Sequence, residues 1–247
     1  MTTDDASMTI MEHLRELRSR LIKAFGALVV ATAISFTIVK PLLEIIVRPV
    51  QNIDLILLGP TEGVIIYFKV ALVAGMGLAL PVIVYQLLAF VVPGLLPHER
   101  KYLYFVLPTA TLSFIAGVLF TYFIILRAAI PFLELFLADI FRPQWTLEKY
   151  MSLVTALMLW VGLSFETPLI MGFLSFLGVL SPKQLSGFRR YAIVVAALIS
   201  AMITPTVDPF NMTLVMAPLI ILYELGLLLA RFAYRGSREA LNNQRAA

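Results

Sequence analysis

Apolar residues along this 247-residue chain gather into six long runs, near 21–39, 70–92, 105–126, 151–176, 191–206 and 212–230. The runs lack the period-two alternation of barrel strands, so the pattern predicts helices and not a closed β-barrel. A hydrocarbon core of about 30 Å needs roughly 20 mostly apolar helical residues, which is the scale of these runs. The fifth is short: between Arg190 and Pro205 only 191–204 are available, about 21 Å of helix at 1.5 Å per residue. The sixth is also brief. The expected fold is an all-α membrane protein of six transmembrane helices, forming a single domain over 1–234. The segment 235–247 is charged and weakly apolar, and is expected to lack fixed structure.

Composition agrees with this picture. With 60% hydrophobic residues and a mean hydropathy of +0.93, the chain is too apolar to cover a soluble exterior. Charge then sets orientation. If the N-terminus is cytoplasmic, that side carries Arg15, Arg18, Arg20, Lys23, Arg100, Lys101, Lys183, Arg189, Arg190, Arg231, Arg235, Arg238 and Arg245, against Lys40, Arg48, Lys69, Arg127, Arg142 and Lys149 opposite. Thirteen against six is the bias of the positive-inside rule, so both termini are expected in the cytoplasm. The first run is too long for a removable signal peptide and is followed by Lys40 and Pro41, not by a small-residue cleavage site. The net charge of +4 reflects topology and anionic lipid, not nucleic acid. Without cysteine, disulfides, thiolate metal sites and cysteine nucleophiles are all excluded.

The loops carry the remaining signals. The segment 40–69 is broken by Pro41, Pro49, Gly59 and Pro60, which predicts short helical pieces on the outer surface. On the inner side, Glu16 stands among Arg15, Arg18 and Arg20, and Glu99 precedes Arg100. Glu16 with Arg20 reads as a helical i,i+4 pair, and Glu99 as an acid in the first turn of the third span. Glu166 lies inside the fourth span, where an unpaired charge is expensive, and Pro168 cannot donate to the Ser164 carbonyl, which predicts a kink. Glu224 in the sixth span lies near Arg231 and makes a weaker case. Thr204, Pro205 and Asp208 read as a cap and tight turn between the last two spans.

Five pieces in order then match a known family. They are His13-Leu14-Arg15-Glu16-Leu17-Arg18-Ser19-Arg20-Leu21, Leu80-Pro81-Val82-Ile83-Val84-Tyr85-Gln86-Leu87-Leu88-Ala89-Phe90, the loop from Pro93 to Arg100, Ser164-Phe165-Glu166-Thr167-Pro168, and Thr204-Pro205-Thr206-Val207-Asp208-Pro209. Over nearly its whole length the chain resembles the TatC family, the polytopic subunit of the twin-arginine protein translocase. The resemblance implies a concave bundle in the inner membrane with an outer cap from the first outer loop, in which Pro49 makes a rigid turn. It implies a cytoplasmic receptor for signal peptides of folded precursors, with Glu16 and Glu99 holding the two guanidinium groups beside Arg18 and Arg20. Phe90, Leu95 and Leu96 then offer apolar surface, and His98 is a structural hydrogen-bonding residue. A planar guanidinium pairs bidentately with carboxylate in a way that lysine cannot copy. The resemblance places Glu166 toward a hydrated cavity. It assigns contact with single-span partner subunits to Met202, Thr204, Pro205 and Asp208, within a homo- or hetero-oligomer driven by the proton gradient. Met212 stands where some members carry glutamine.

Enzymatic readings fail on inventory. The only histidines, His13 and His98, lie at the membrane edge, there is no pair of intramembrane aspartates, and no phosphate-binding loop motif occurs. No cofactor is implied. A rival of another class is a small secondary transporter using Glu166 as a proton or solute site, but an inverted repeat would ask for a matching acid in the first span, and none is there.

Overall fold

The computed structural model describes residues 10–51, 53, 55–91, 100–136, 144–204 and 208–246. Ten α-helices follow one another along them. These are α1 (Ile10–Ser35), α2 (Val39–Val47), α3 (Glu62–Val91), α4 (Arg100–Phe120), α5 (Leu126–Leu135), α6 (Leu147–Ser164), α7 (Thr167–Phe176), α8 (Pro182–Gly187), α9 (Arg189–Ile203) and α10 (Pro209–Ala246). Single turns of 3-10 helix at Phe36–Ile38 and Arg48–Val50 flank α2, and a π-helical turn at Thr121–Ile125 joins α4 to α5. Five helical stretches are long and apolar enough to cross a membrane: Met11–Val50, Glu62–Phe90, Val106–Leu135, Leu147–Phe176 and Pro209–Tyr234. The chain is therefore a predominantly helical, multi-pass membrane protein. Between them α9 has 15 residues, about 22 Å of helix, which is the short fifth element that the sequence leads one to expect.

Two expectations need adjustment. Helix α1 begins at Ile10, well before the apolar run that starts near 21, because hydropathy marks only the part of a helix that meets lipid. The segment 235–246, expected to lack fixed structure, continues α10 as helix to Ala246. Arg, Glu, Ala, Leu and Gln recur there, and all are good helix formers.

Four buried hydroxyl side chains inside the helices are satisfied locally. Ser35 donates to the Ala31 carbonyl (2.8 Å), Thr121 to Gly117 (2.9 Å), Thr155 to Met151 (2.6 Å) and Thr204 to Ser200 (2.7 Å). Each of these four bonds one turn back and so meets its own need inside the membrane, whereas the buried hydroxyls of Thr32 and Ser175 have no hydrogen-bond partner among the described residues.

The segments expected outside from the sequence, between α1 and α3 and between α5 and α6, are held by a different device. Where α1 gives way to α2, and again toward the end of α2, carbonyls lose or share their helical donors. Tyrosines from three other elements reach in: Tyr67 of α3 to the Phe36 carbonyl (3.0 Å), Tyr122 to Ile45 (2.8 Å) and Tyr150 of α6 to Ile46 (2.7 Å). Tyr150 is only 1% exposed, an aromatic body packed in the core with its polar tip used. Two short strands, β1 (Leu55–Ile56) and β2 (Trp145–Thr146), pair in parallel and tie the two outer segments together.

The largest helix contact joins α1 to α3 at a point where no side chain fits. A Cβ on Gly75 would lie 2.6 Å from the Thr32 Cα, so glycine there permits direct backbone approach. Gly117 and Gly162 do the same for α4 and α6, with a Gly117 Cβ 2.8 Å from the Gly162 Cα. We expect Gly75→Ala to lower the thermal stability of the purified protein by roughly 1–3 kcal/mol, the usual range for overpacking. Gly26→Ala, which meets nothing within 4 Å, should instead be neutral or gain up to about 1 kcal/mol. Thermal melts of both variants in the same detergent check the pair, and equal melts would remove the close-approach argument.

Candidate functional site

The close approach of Thr32 and Gly75 sets the antiparallel register of α1 and α3, and that register carries to the N-terminal end of α1. There Arg20 donates through Nη1 to the Gln86 side-chain oxygen of α3 (3.3 Å) and through Nη2 to Glu16 Oε1 (3.1 Å). One turn further out, His13 stacks on Phe90 with ring centroids 4.3 Å apart. The charged end of α1 is thus docked on α3. Glu12, Arg15, Glu16, Ser19, Arg20 and Lys23 line an open groove of about 400 Å³ along it.

Glu16 is asymmetric in this setting. Its Oε1 is bonded to Arg20, while Oε2 is buried and has no hydrogen-bond partner among the described residues. A carboxylate can accept about four hydrogen bonds, so half of its capacity is left at the groove. Arg18 is exposed and does not line the groove, so the structure brings Arg20 to Glu16 but not Arg18. Phe90, expected as free apolar surface, is half-buried under His13. Leu95, Leu96, His98 and Glu99 lie outside the described residues. Neither Gln86 nor His13 had been assigned a role from sequence. Both stand in the quoted motifs, but their partners are remote in the chain, and a motif does not say which side chains meet.

The second polar feature is Glu166. Helix α6 ends at Ser164 and α7 starts at Thr167 with Pro168 in its first turn, so the expected kink is present. The break keeps its own bonds: the Glu166 N–H donates to Leu163 (3.1 Å), and the Ile170 N–H donates to the Glu166 carbonyl (2.9 Å). The side chain differs from expectation. Glu166 is 7% exposed, and its Oε1 has no hydrogen-bond partner among the described residues. Its neighbours in the bend are tightly packed. The α4–α6 crossing brings Phe165 within 2.9 Å of a Gly117 Cβ, and α10 presses on α7, where a Gly226 Cβ would lie 3.2 Å from the Pro168 Cα.

At the other end of the short helix, Thr204 is buried and bonds back to Ser200. Asp208 caps α10, accepting from the Asn211 N–H (2.7 Å) and side-chain amide (2.9 Å). These two residues carry the cap reading, and Thr204 is turned into the chain. Met202 is 81% exposed, while Pro205 lies outside the described residues. Pro49 sits in the 3-10 turn Arg48–Val50 of the outer segment. Glu224 pairs with Arg189 at 2.7 Å and not with Arg231, because α9 and α10 pack together and place Arg189 beside it. Lys69, counted with the outer loop, lies within α3 and donates to Ser152 of α6 (2.7 Å). Among the described residues no cluster of histidine and carboxylate groups could hold a metal.

Residues 12–218 match the family model described as Sec-independent protein translocase protein (TatC). The chain belongs to the TatC family. It is 37% identical over 238 residues to the Sec-independent protein translocase protein TatC of Aquifex aeolicus, covering 94% of this chain and 98% of that one. The corresponding protein of Carboxydothermus hydrogenoformans is 35% identical over 231 residues, covering 93% and 95%. A crystal structure of the twin-arginine translocase receptor TatC superposes with a TM-score of 0.82 at 38% identity, over 90% of this chain and 99% of that one. TatC membership makes this chain a component of protein transport, and the small-transporter reading of Glu166 has no comparable support.

A buried acid with one oxygen unpartnered is a stability liability, since an unmet polar group in an apolar setting loses roughly 1–3 kcal/mol. Glu166→Met, which keeps an unbranched stem and removes the carboxyl, should therefore melt at or above the parent temperature, with Glu166→Gln between the two. A melt of the Met variant well below the parent would mean that the carboxyl is held by a bond that stabilises the fold.

Proposed function

We propose that this chain is the receptor subunit of the twin-arginine translocase in the cytoplasmic membrane. It crosses six times, with α9 as the short fifth crossing and both termini in the cytoplasm. It binds the paired arginines of precursor signal peptides at the end of α1, and recruits single-span partner subunits for export driven by the proton gradient. The observation that carries this reading is the half-used Glu16 carboxylate at a groove on the basic end of α1. Glu16 takes one guanidinium and Glu99 the other. The exposed apolar residues of α9, Met202 and Leu198 among them, form the surface for a partner helix. Glu166 serves as an intramembrane polar site between the α4–α6 and α7–α10 crossings. The reading is supported by TatC membership and by the translocase names of the relatives.

Arg20 is the internal occupant of the Glu16 site. Its pairing is an i,i+4 bridge at a partly exposed edge, worth a few tenths of a kcal/mol. An incoming guanidinium with two good N–H donors displaces it or shares the carboxylate at little loss. Lysine offers one compact charge and no planar fork, so discrimination comes from geometry.

Binding of a labelled twin-arginine peptide to detergent-solubilised protein tests this directly. Glu16→Gln and Glu99→Gln should each weaken binding by about tenfold or more, the scale of a lost charge-assisted hydrogen bond. A twin-lysine peptide should bind poorly to the unchanged protein. Equal affinity for the two peptides would remove the bidentate argument.

Orientation is checked separately. The chain contains no cysteine, so single introduced thiols report without background. With an impermeant reagent added outside intact cells, Leu58→Cys should label and Lys183→Cys should not. The reverse pattern would invert the topology.

A further inference from the structure

On the face opposite the receptor groove, the outer segment and the α4–α5 junction enclose a second groove, of about 680 Å³. Its charged lining consists of Arg48, Arg127 and Glu134, and its apolar lining includes Ile45, Phe123 and Ile130. None of the three charged side chains forms an ion pair among the described residues. Arg127 is instead held over the Phe123 ring at 5.5 Å, an arrangement that positions the guanidinium while leaving its N–H edge free. The wall is fixed as well, because Tyr122 bonds the Ile45 carbonyl across it at 2.8 Å.

The depth of this groove is that of lipid headgroups. From Arg100, at the start of α4, to Arg127 is about 40 Å of helix, so Arg127 lies just past one hydrocarbon thickness from the opposite basic end. The apolar wall continues onto lipid-facing side chains, with Phe123 and Ile124 about half exposed. A ligand here meets two guanidinium groups, one carboxylate and an apolar slope into the membrane. Two arginines suit a phosphodiester, and a carboxylate beside them suits a primary ammonium.

We propose that this groove is a binding site for an outer-leaflet phosphatidylethanolamine-type lipid, with Arg48 and Arg127 on the phosphate, Glu134 on the ammonium, and acyl chains along Ile45, Phe123 and Ile130. The charge pattern selects against purely anionic headgroups, because Glu134 repels a second negative group and gains nothing from a glycerol. The apolar slope selects against a free anion. The site is independent of the receptor groove and does not rest on peptide binding there.

Native mass spectrometry of the delipidated full-length protein in detergent tests the proposal, with dioleoylphosphatidylethanolamine, dioleoylphosphatidylglycerol and inorganic phosphate as separate probes. The ethanolamine lipid should bind most tightly. Arg48→Gln and Arg127→Gln should each weaken it by about tenfold, and Glu134→Gln should bring it to the level of the glycerol lipid. Lys40→Gln, at an exposed basic residue outside the groove, should change nothing. Circular dichroism of each variant confirms that helix content is kept, so lost binding reports on the groove. Phosphatidylglycerol binding as tightly as phosphatidylethanolamine, inorganic phosphate binding as well as either lipid, or full lipid binding by both arginine variants would each overturn the site.

Discussion

Inside a bilayer no water completes the hydrogen bonds of a peptide group, and this constraint orders the rest of the molecule. Wherever the helical ladder is unbroken the backbone is self-sufficient. The informative places are those where it is interrupted, and there the chain brings its own donors. The carbonyls of Phe36, Ile45 and Ile46 take hydroxyls from Tyr67, Tyr122 and Tyr150, which belong to three separate helical elements. The same bonds that satisfy the backbone therefore assemble the outer cap. The break at Phe165 and Glu166 is handled within one turn by short-range backbone bonds, so it bends the helix without opening it to lipid.

The two ends of the molecule are built by different physics. At the end that holds α2, hydroxyl bonds and the β1–β2 pairing join segments that are distant in sequence. Toward the end that holds the start of α1 the organising event is steric. The missing side chain of Gly75 lets α1 and α3 touch at Thr32, and the register set there brings Arg20 to Gln86 and His13 to Phe90. A helix that projects beyond the hydrocarbon would otherwise sweep its charged end through water. Docked on α3, it presents Glu16 in one orientation, so less ordering remains for a ligand to supply.

Much of this was legible in the sequence, and the divisions have physical causes. Run length and proline position report local properties, so the helical class, the short α9 and the bend before Pro168 could be read directly. The i,i+4 pairing of Glu16 with Arg20 is local in the same sense and is present. Long-range partners were not legible. Glu224 reads from sequence only as an acid near Arg231, and its partner Arg189 is delivered by helix packing from a different element. Strands of two residues, Leu55–Ile56 and Trp145–Thr146, are too short to carry any periodicity. The start of α1 at Ile10 was not marked by the apolar run, because 10–20 is polar and hydropathy is blind to a helix that lies outside lipid.

Glu166 marks the limit of reading function from residue type. An acid in a span suggests a watery cavity, because a charge in hydrocarbon is costly. The structure meets that constraint in another way. The neighbours of Glu166 in the bend, Phe165 and Pro168, pack against α4 and α10, and the carboxyl sits buried with one oxygen unpartnered among the described residues. Such an arrangement adds nothing to stability by itself. Its physical use lies in what it disfavors and favours: tight packing around an unmet acceptor is a stored penalty that any donor entering between the two helix crossings would relieve. The same logic applies to Oε2 of Glu16 at the membrane edge. Both carboxylates carry one buried oxygen with acceptor capacity to spare, that of Glu16 on a residue lining a groove and that of Glu166 at a bend between two helices.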